Sequence, residues 1–479
     1  MTRIASCTLL ATAACVCATS ARAHGFGQRY DLPIPLWLYL LGAVLTIVLS
    51  CVMLAVYVRA APPGGRRSVQ DPLAAWRFNP RGVAPILVAA LRSVAVALYA
   101  LVLAAGFLGN QSPLKNIAPV LVWAVWWVGM AYVCALLVDV WRLASPLDTI
   151  YRAIEPILAR AAPRRGDALL ALPERVGAWP AVALFLLFAW MEVAWDRSDH
   201  PAPLAAAICA YSIATWIAMF AFGRERWLRS GEAFACVFSI MARFAPTALR
   251  FEGARLAALE LRPYGSGLVA AQPVSASQKA LVILMLASVT FDGFLETPAW
   301  ADIAQAAESA FEAGPAVRTL GLITAPLLFY SVYELFCASI ARAGGSSVSR
   351  ARLSGLFVLT LVPIAIAYHV AHYLSFLFMA GQYLIPLASD PFGIGWDLFG
   401  TRNHFVRLGL LDAKAVWYLS VTAIVTGHVA ALYLAHVVSL REFPGRRQAL
   451  RSQLPMVALM IAYTLTSLWI IAQPIVTSR

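Results

Sequence analysis

Residues 353–387 form an unbroken run of 35 positions without a single aspartate, glutamate, lysine or arginine. Roughly 20 apolar residues already suffice to cross a bilayer as a helix. Nine further apolar runs of crossing length lie near 36–58, 83–105, 117–141, 178–195, 204–222, 279–298, 317–340, 415–438 and 454–473. In hydrocarbon every backbone N–H and C=O must be satisfied internally, and runs of this length do so as helices. The expected fold class is therefore all-α, a polytopic inner-membrane helix bundle of about ten transmembrane helices. Composition excludes an ordinary soluble domain: 61% of residues are hydrophobic, 13% are charged, and mean hydropathy is +0.74.

The first residues follow a different logic. Arg3, the apolar stretch 4–17 and Ser20-Ala21-Arg22-Ala23 read as the three regions of a secretory signal, with cleavage after Ala23. Segment 1–23 is then removed, 24–35 becomes a periplasmic N-terminal segment, and 36–479 is the multi-pass bundle. With His24 outside, loops 59–81, 142–177, 223–278, 342–352 and 439–453 fall in the cytoplasm, and these hold most of the arginines. The same count leaves the C-terminus periplasmic. The net charge of +13 is thus a topology signal, and it implies no nucleic-acid partner.

Two cytoplasmic connectors stand out, 142–177 and 223–278. Within the second, Phe234, Val237, Phe238, Met241 and Phe244 recur at helical spacing, broken by Arg243 and Pro246, and predict an interfacial amphipathic helix. Cys51, Cys134, Cys209, Cys236 and Cys337 are scattered without C-x-x-C spacing, which argues against a disulfide framework or an iron–sulfur centre.

Ionisable side chains inside apolar runs are costly and so mark sites or charge pairs. Asp292 and Glu296 are four residues apart and can face one neighbour. Glu334 and Arg92 are read as members of charge pairs between spans. Five of the seven histidines lie in the last quarter of the chain. His369 and His372 share one helix face, and His428 lies near the middle of the next span. Three imidazoles converging from two helices would suit a divalent metal, Zn, Fe, Mn or Cu. The alternative is a set of neutral rings bonded to carbonyls and hydroxyls of neighbouring helices. His436, two turns beyond His428, is read as interfacial. As a mature N-terminal residue, His24 would offer its amine and a ring nitrogen to copper.

Three blocks carry a family resemblance: HGFGQRYDLPIPLWLYL from His24, AYHVAHYLSFLFMAGQYLIPLASDPFGIGWDLFGT from Ala367 to Thr401, and LTSLWIIAQPI from Leu465. Together they make the chain resemble bacterial integral-membrane proteins labelled fenitrothion hydrolase. The resemblance implies a membrane hydrolase that cleaves the aryl ester P–O bond of organophosphate triesters, with a hydrophobic small-molecule substrate drawn from the lipid bilayer and a related second membrane subunit as partner. It assigns no catalytic residues. If the chemistry is metal-assisted, His369, His372 and His428 would hold the metal and Asp292 or Glu296 would be a further ligand or general base. Trp396 and Arg402, in the outer loop, would bind substrate. No H-E-x-x-H, G-x-S-x-G or P-loop pattern is present. Two other classes fit the same residues. One is a proton- or metal-coupled membrane transporter. The other is a haem or copper redox protein with His369 or His372 and His428 as axial ligands.

Overall fold

The computed structural model describes residues 35–473 apart from 60–76, 79–83, 162–167, 253–254, 270–271, 312–313, 346–347 and 408–410. The expected signal segment and His24 lie outside the described residues.

In chain order the described elements are α1 (Leu36–Tyr57), β1 (Arg77–Phe78), α2 (Ala84–Leu108), α3 (Ile117–Leu136), α4 (Val140–Ala144), α5 (Pro146–Ala161), α6 (Trp179–Val193), α7 (Pro201–Phe222), α8 (Arg224–Ser230) and α9 (Ala233–Ala242). There follow β2 (Thr247–Glu252), β3 (Arg255–Leu261), α10 (Ala276–Leu295), α11 (Pro298–Phe311), α12 (Gly314–Ala343), α13 (Arg350–Ser389), α14 (Ala413–Glu442) and α15 (Arg446–Ala472). Among the described residues ten helices are long and apolar enough to cross a membrane, each on one of the runs predicted from sequence. The chain is an all-α multi-pass membrane protein.

Burial separates an inner from an outer ring. In α13 and α10, 94% and 78% of the most apolar stretch is buried, against 11% in α1 and 6% in α2. α1 instead turns Trp37, Leu41, Leu45, Leu49, Val52 and Met53 outward, the pattern of a lipid-facing helix. α13 is surrounded by α3, α10 and α14. It is not one continuous α-helix: 3₁₀ turns at Val358–Leu361 and Gly381–Tyr383 interrupt it, with Pro363 just after the first. α3 carries a π-helical segment, Leu121–Gly129.

Small residues set how closely these helices approach, because apolar side chains gain little by leaving lipid and packing must supply the contact energy. A side chain at Gly427 would place its Cβ 2.3 Å from Ala367 Cβ and 2.8 Å from Pro363 O, so α14 rests directly on the backbone of α13. Gly293 brings α10 close to side chains of α13 and α15. A Cβ there would lie 2.6 Å from the Tyr368 hydroxyl and 3.1 Å from Ile470 Cγ2.

The 223–278 region corrects an expectation. Its helix, α9, is buried rather than interfacial: Ala233, Phe234, Cys236, Val237, Phe238, Ile240, Met241 and Ala242 are all enclosed. Apolar but for Ser239, it has no polar face to present to water, and it packs on α3 and α6. At about 15 Å it reaches only half-way through a bilayer. Its start is capped by buried Glu232, which accepts from the backbone N–H of Phe234 (3.1 Å) and Ala235 (2.5 Å) and from the Tyr211 hydroxyl. The residues after it form an antiparallel hairpin of β2 and β3, paired from Thr247↔Leu261 to Glu252↔Arg255 with an irregularity at Arg250/Phe251. β1 adds to it through Arg77↔Glu260 and Phe78↔Leu259. Gly253 between the two apolar stretches is the signal for the hairpin in the sequence.

The other charged residues inside spans find partners. Glu334 pairs with Lys279 and accepts from Ser354 Oγ (2.7 Å), which fits the expected charge pair. Arg92 departs from it. Its Nε donates to the Leu143 carbonyl at 2.9 Å, closing the end of α4 instead of meeting a carboxylate. His436 is also not interfacial: it is buried, with Nδ1 2.8 Å from Gln453 Oε1 and Nε2 2.9 Å from the Val58 carbonyl. It ties α14 to α15 and to the end of α1.

Candidate functional site, a buried histidine–carboxylate centre

Four titratable side chains meet where α6, α10 and α13 come together. His372 Nε2 lies 2.8 Å from Asp292 Oδ2. Since that oxygen accepts, the ring's Nε2 carries a proton and donates it. The Tyr373 hydroxyl, one residue along α13, is 3.1 Å from the same Asp292 oxygen and 2.7 Å from Glu192 Oε1. Glu192 in turn accepts from Trp127 Nε1 at 2.9 Å. The result is a continuous chain of polar atoms, His372–Asp292–Tyr373–Glu192, inside an apolar bundle. A phenol has one proton to donate and here has two carboxylates within reach.

Local sequence explains the placement. Gly293, beside Asp292, lets α10 close onto Tyr368 and brings Asp292 against the next turn of α13, where His372 sits. Glu192 and Asp292 each lie within the last turn of their helices, so the centre is near one end of α6 and α10. Trp127 comes from the π-helical part of α3, where the widened turn re-aims side chains; such bulges recur at functional sites.

His369 is on the same face of α13, one turn before His372, with its ring 4.7 Å from Tyr373, 5.4 Å from Trp127 and 5.7 Å from Tyr132, centroid to centroid. Its Nε2 is buried with no hydrogen-bond partner. It lines a cavity of about 10 Å³, room for about one water molecule, together with Trp127, Phe185, Glu192, Met241, Met285, Ser288, Val289, Ala365 and Tyr373.

The sequence-predicted residues divide accordingly. His372 and Asp292 are brought into contact, and His369 joins the same centre. Glu296 caps the C-terminal end of α10, one turn past Asp292. His428 does not converge with them as expected. Its Nδ1 is 2.8 Å from the Ile424 carbonyl, and its ring meets Tyr463 at 5.8 Å. Tyr463 meets Tyr368, and Tyr368 stacks on His372 at 6.3 Å, so two aromatic rings lie along the way from His428 to the centre. Among the described residues no group of three or more His, Cys, Asp or Glu side chains is arranged to hold a metal ion. The three imidazoles expected to converge are therefore not brought together in one set. Trp396 and Arg402 build the outer loop. Trp396 packs edge-on against Phe392 at 5.6 Å, and Arg402 Nη1 donates to the Gly395 carbonyl at 2.9 Å. That loop is stitched to the 109–117 turn through Asn110 N to Phe392 O and Ile117 N to Pro391 O. Neither residue lines the central cavity.

Glu192, Tyr373 and Trp127 were not among the residues singled out from sequence. Glu192 carried a readable signal, a lone acid within an apolar run, the same argument that picked out Glu334. Tyr373 and Trp127 carried none, since aromatic residues in a span are ordinary.

No protein-family model, curated protein or solved structure matches this chain.

Proposed function

We propose that this chain is a proton-coupled transporter of the bacterial inner membrane, its termini on the periplasmic side, with protons carried at the His372–Asp292–Tyr373–Glu192 chain. The observation that carries the reading is the single Tyr373 hydroxyl set between the buried carboxylate of Asp292 and the half-buried one of Glu192, with an imidazole bonded to the first. Protonatable groups in series inside a membrane bundle are the usual means of moving protons. The helical irregularities support the same reading. α13 is broken by 3₁₀ turns on either side of its histidines, and α3 carries its π-segment beside them, as in transporters, whose interrupted helices border the binding site. A pH jump applied to proteoliposomes on a solid-supported membrane is expected to drive a transient charge displacement in the wild type. Asp292→Asn and Glu192→Gln should each abolish most of it. Equal currents from wild type, a double variant and empty liposomes would overturn the proposal.

A second reading keeps the organophosphate hydrolase that the sequence resembles, and the His372–Asp292 dyad favours it. In the neutral form of the ring, a carboxylate that holds Nε2–H leaves Nδ1 as the acceptor, the arrangement of a general base; once Nδ1 takes up a proton the two groups form an ion pair. Water would attack phosphorus, its proton would pass to Nδ1, and the aryloxide would leave; no metal is needed. This reading predicts turnover of a nitrophenyl phosphotriester that resists chelators and is lost in His372→Gln. Absence of turnover by the intact chain in lipid counts against it.

A further inference from the structure

The small cavity beside the proton chain has a donor set that the chain does not use. Three elements supply it: His369 from α13, Met241 from α9 and Met285 from α10. His369 Nε2 is buried, the residue being 3% exposed, and it has no hydrogen-bond partner. A polar atom buried without a partner is costly and calls for an explanation. We propose that this cavity binds a soft monovalent metal ion, Cu(I), with Ag(I) as its mimic, through the His369 imidazole and the thioethers of Met241 and Met285.

The chemistry of the lining selects that ion. Thioethers are soft, polarisable and uncharged, and they favour Cu(I) over Zn, Mg or Mn, which take imidazole or carboxylate oxygen more readily. One imidazole with two methionines suits an ion of low coordination number, and a space of about 10 Å³ admits a bare ion but no hydrated one. Trp127, Phe185, Val289 and Ala365 wall the cavity with apolar surface. The ion enters and leaves as Cu(I), so no electron is transferred. This donor set replaces the His369–His372–His428 set with one that the helices bring together.

The inference stands apart from the transport reading, because binding is measured at equilibrium without a gradient. Purified full-length protein is titrated with Cu(I), under reducing and oxygen-free conditions, against a chromogenic Cu(I) chelator. One ion per chain is expected, with an X-ray absorption spectrum showing sulfur and imidazole neighbours. Met241→Leu and Met285→Leu preserve volume and should each weaken binding by more than about tenfold, and His369→Leu likewise. All cysteines remain in these variants, so copper held by them would persist. No uptake by the wild type, a shell without sulfur, or undiminished affinity in the Met241→Leu/Met285→Leu double variant would overturn the proposal. If that double variant fails to fold, the wild-type spectrum decides alone. Asp292→Asn should abolish the pH-jump current and leave Cu(I) binding intact, so either proposal can fail without the other.

Discussion

The contact between His372 and Asp292 allows a quantitative test. At 2.8 Å, with both side chains at least nine-tenths buried, the Coulomb attraction of an ion pair is about 6 kcal/mol at an effective dielectric of about 20. Desolvation of the two groups offsets much of this, so the net worth of the pair is small, but removing one partner strands the other. Asp292→Asn and His372→Gln are each expected to cost about 3–5 kcal/mol. In the double variant neither charge remains, and the loss should fall short of the sum of the singles by about 1–3 kcal/mol, the coupling typical of groups in direct contact. The assay is equilibrium unfolding in mixed detergent, followed through tryptophan fluorescence. Additivity of the two substitutions within about 0.5 kcal/mol would show that the groups do not interact as a charged pair, and the centre would then not be the linked chain described above.

Three further outcomes follow from the geometry. Gly293→Ala puts a Cβ 2.6 Å from the Tyr368 hydroxyl and should destabilise by about 1–3 kcal/mol; the same pH-jump measurement should lose amplitude, and an unchanged protein would show that α10 has room to spare. Asp139, which caps α4 outside the spans, has its carboxyl pushed up to about 6 by burial, against the opposing pull of the Arg142 N–H and charge. A raised folded value means that its contribution to stability is complete below the unfolded value, near 4, and is lost as pH rises through about 6. Asp139→Asn keeps a capping side chain and should remove that slope from thermal unfolding between pH 4 and 7; an identical slope in both proteins would refute the assignment. A reporter inserted in the 389–412 loop should read outside the cytoplasm and one placed after Gly445 inside, and the reverse pattern would invert the charge-based orientation.

Hydropathy alone was enough for the class of protein and for all ten crossing helices, because a bilayer imposes one length and one chemistry on every span. The same rule marked His369, His372 and Asp292, since a polar group at that depth stands out against its neighbours. Which of these groups meet was a different question. Helix rotation and crossing depend on close approach at Gly293 and Gly427, and sequence periodicity does not report contacts between helices far apart in the chain. His428 therefore looked equivalent to His372 on the page but sits against Tyr463. Tyr373, Trp127, Met241 and Met285 looked like ordinary core residues and line the centre. Burial of α9 was likewise settled only by packing: a helix of ten residues is too short to span, and only the walls that α3 and α6 provide let such a helix end within the bundle.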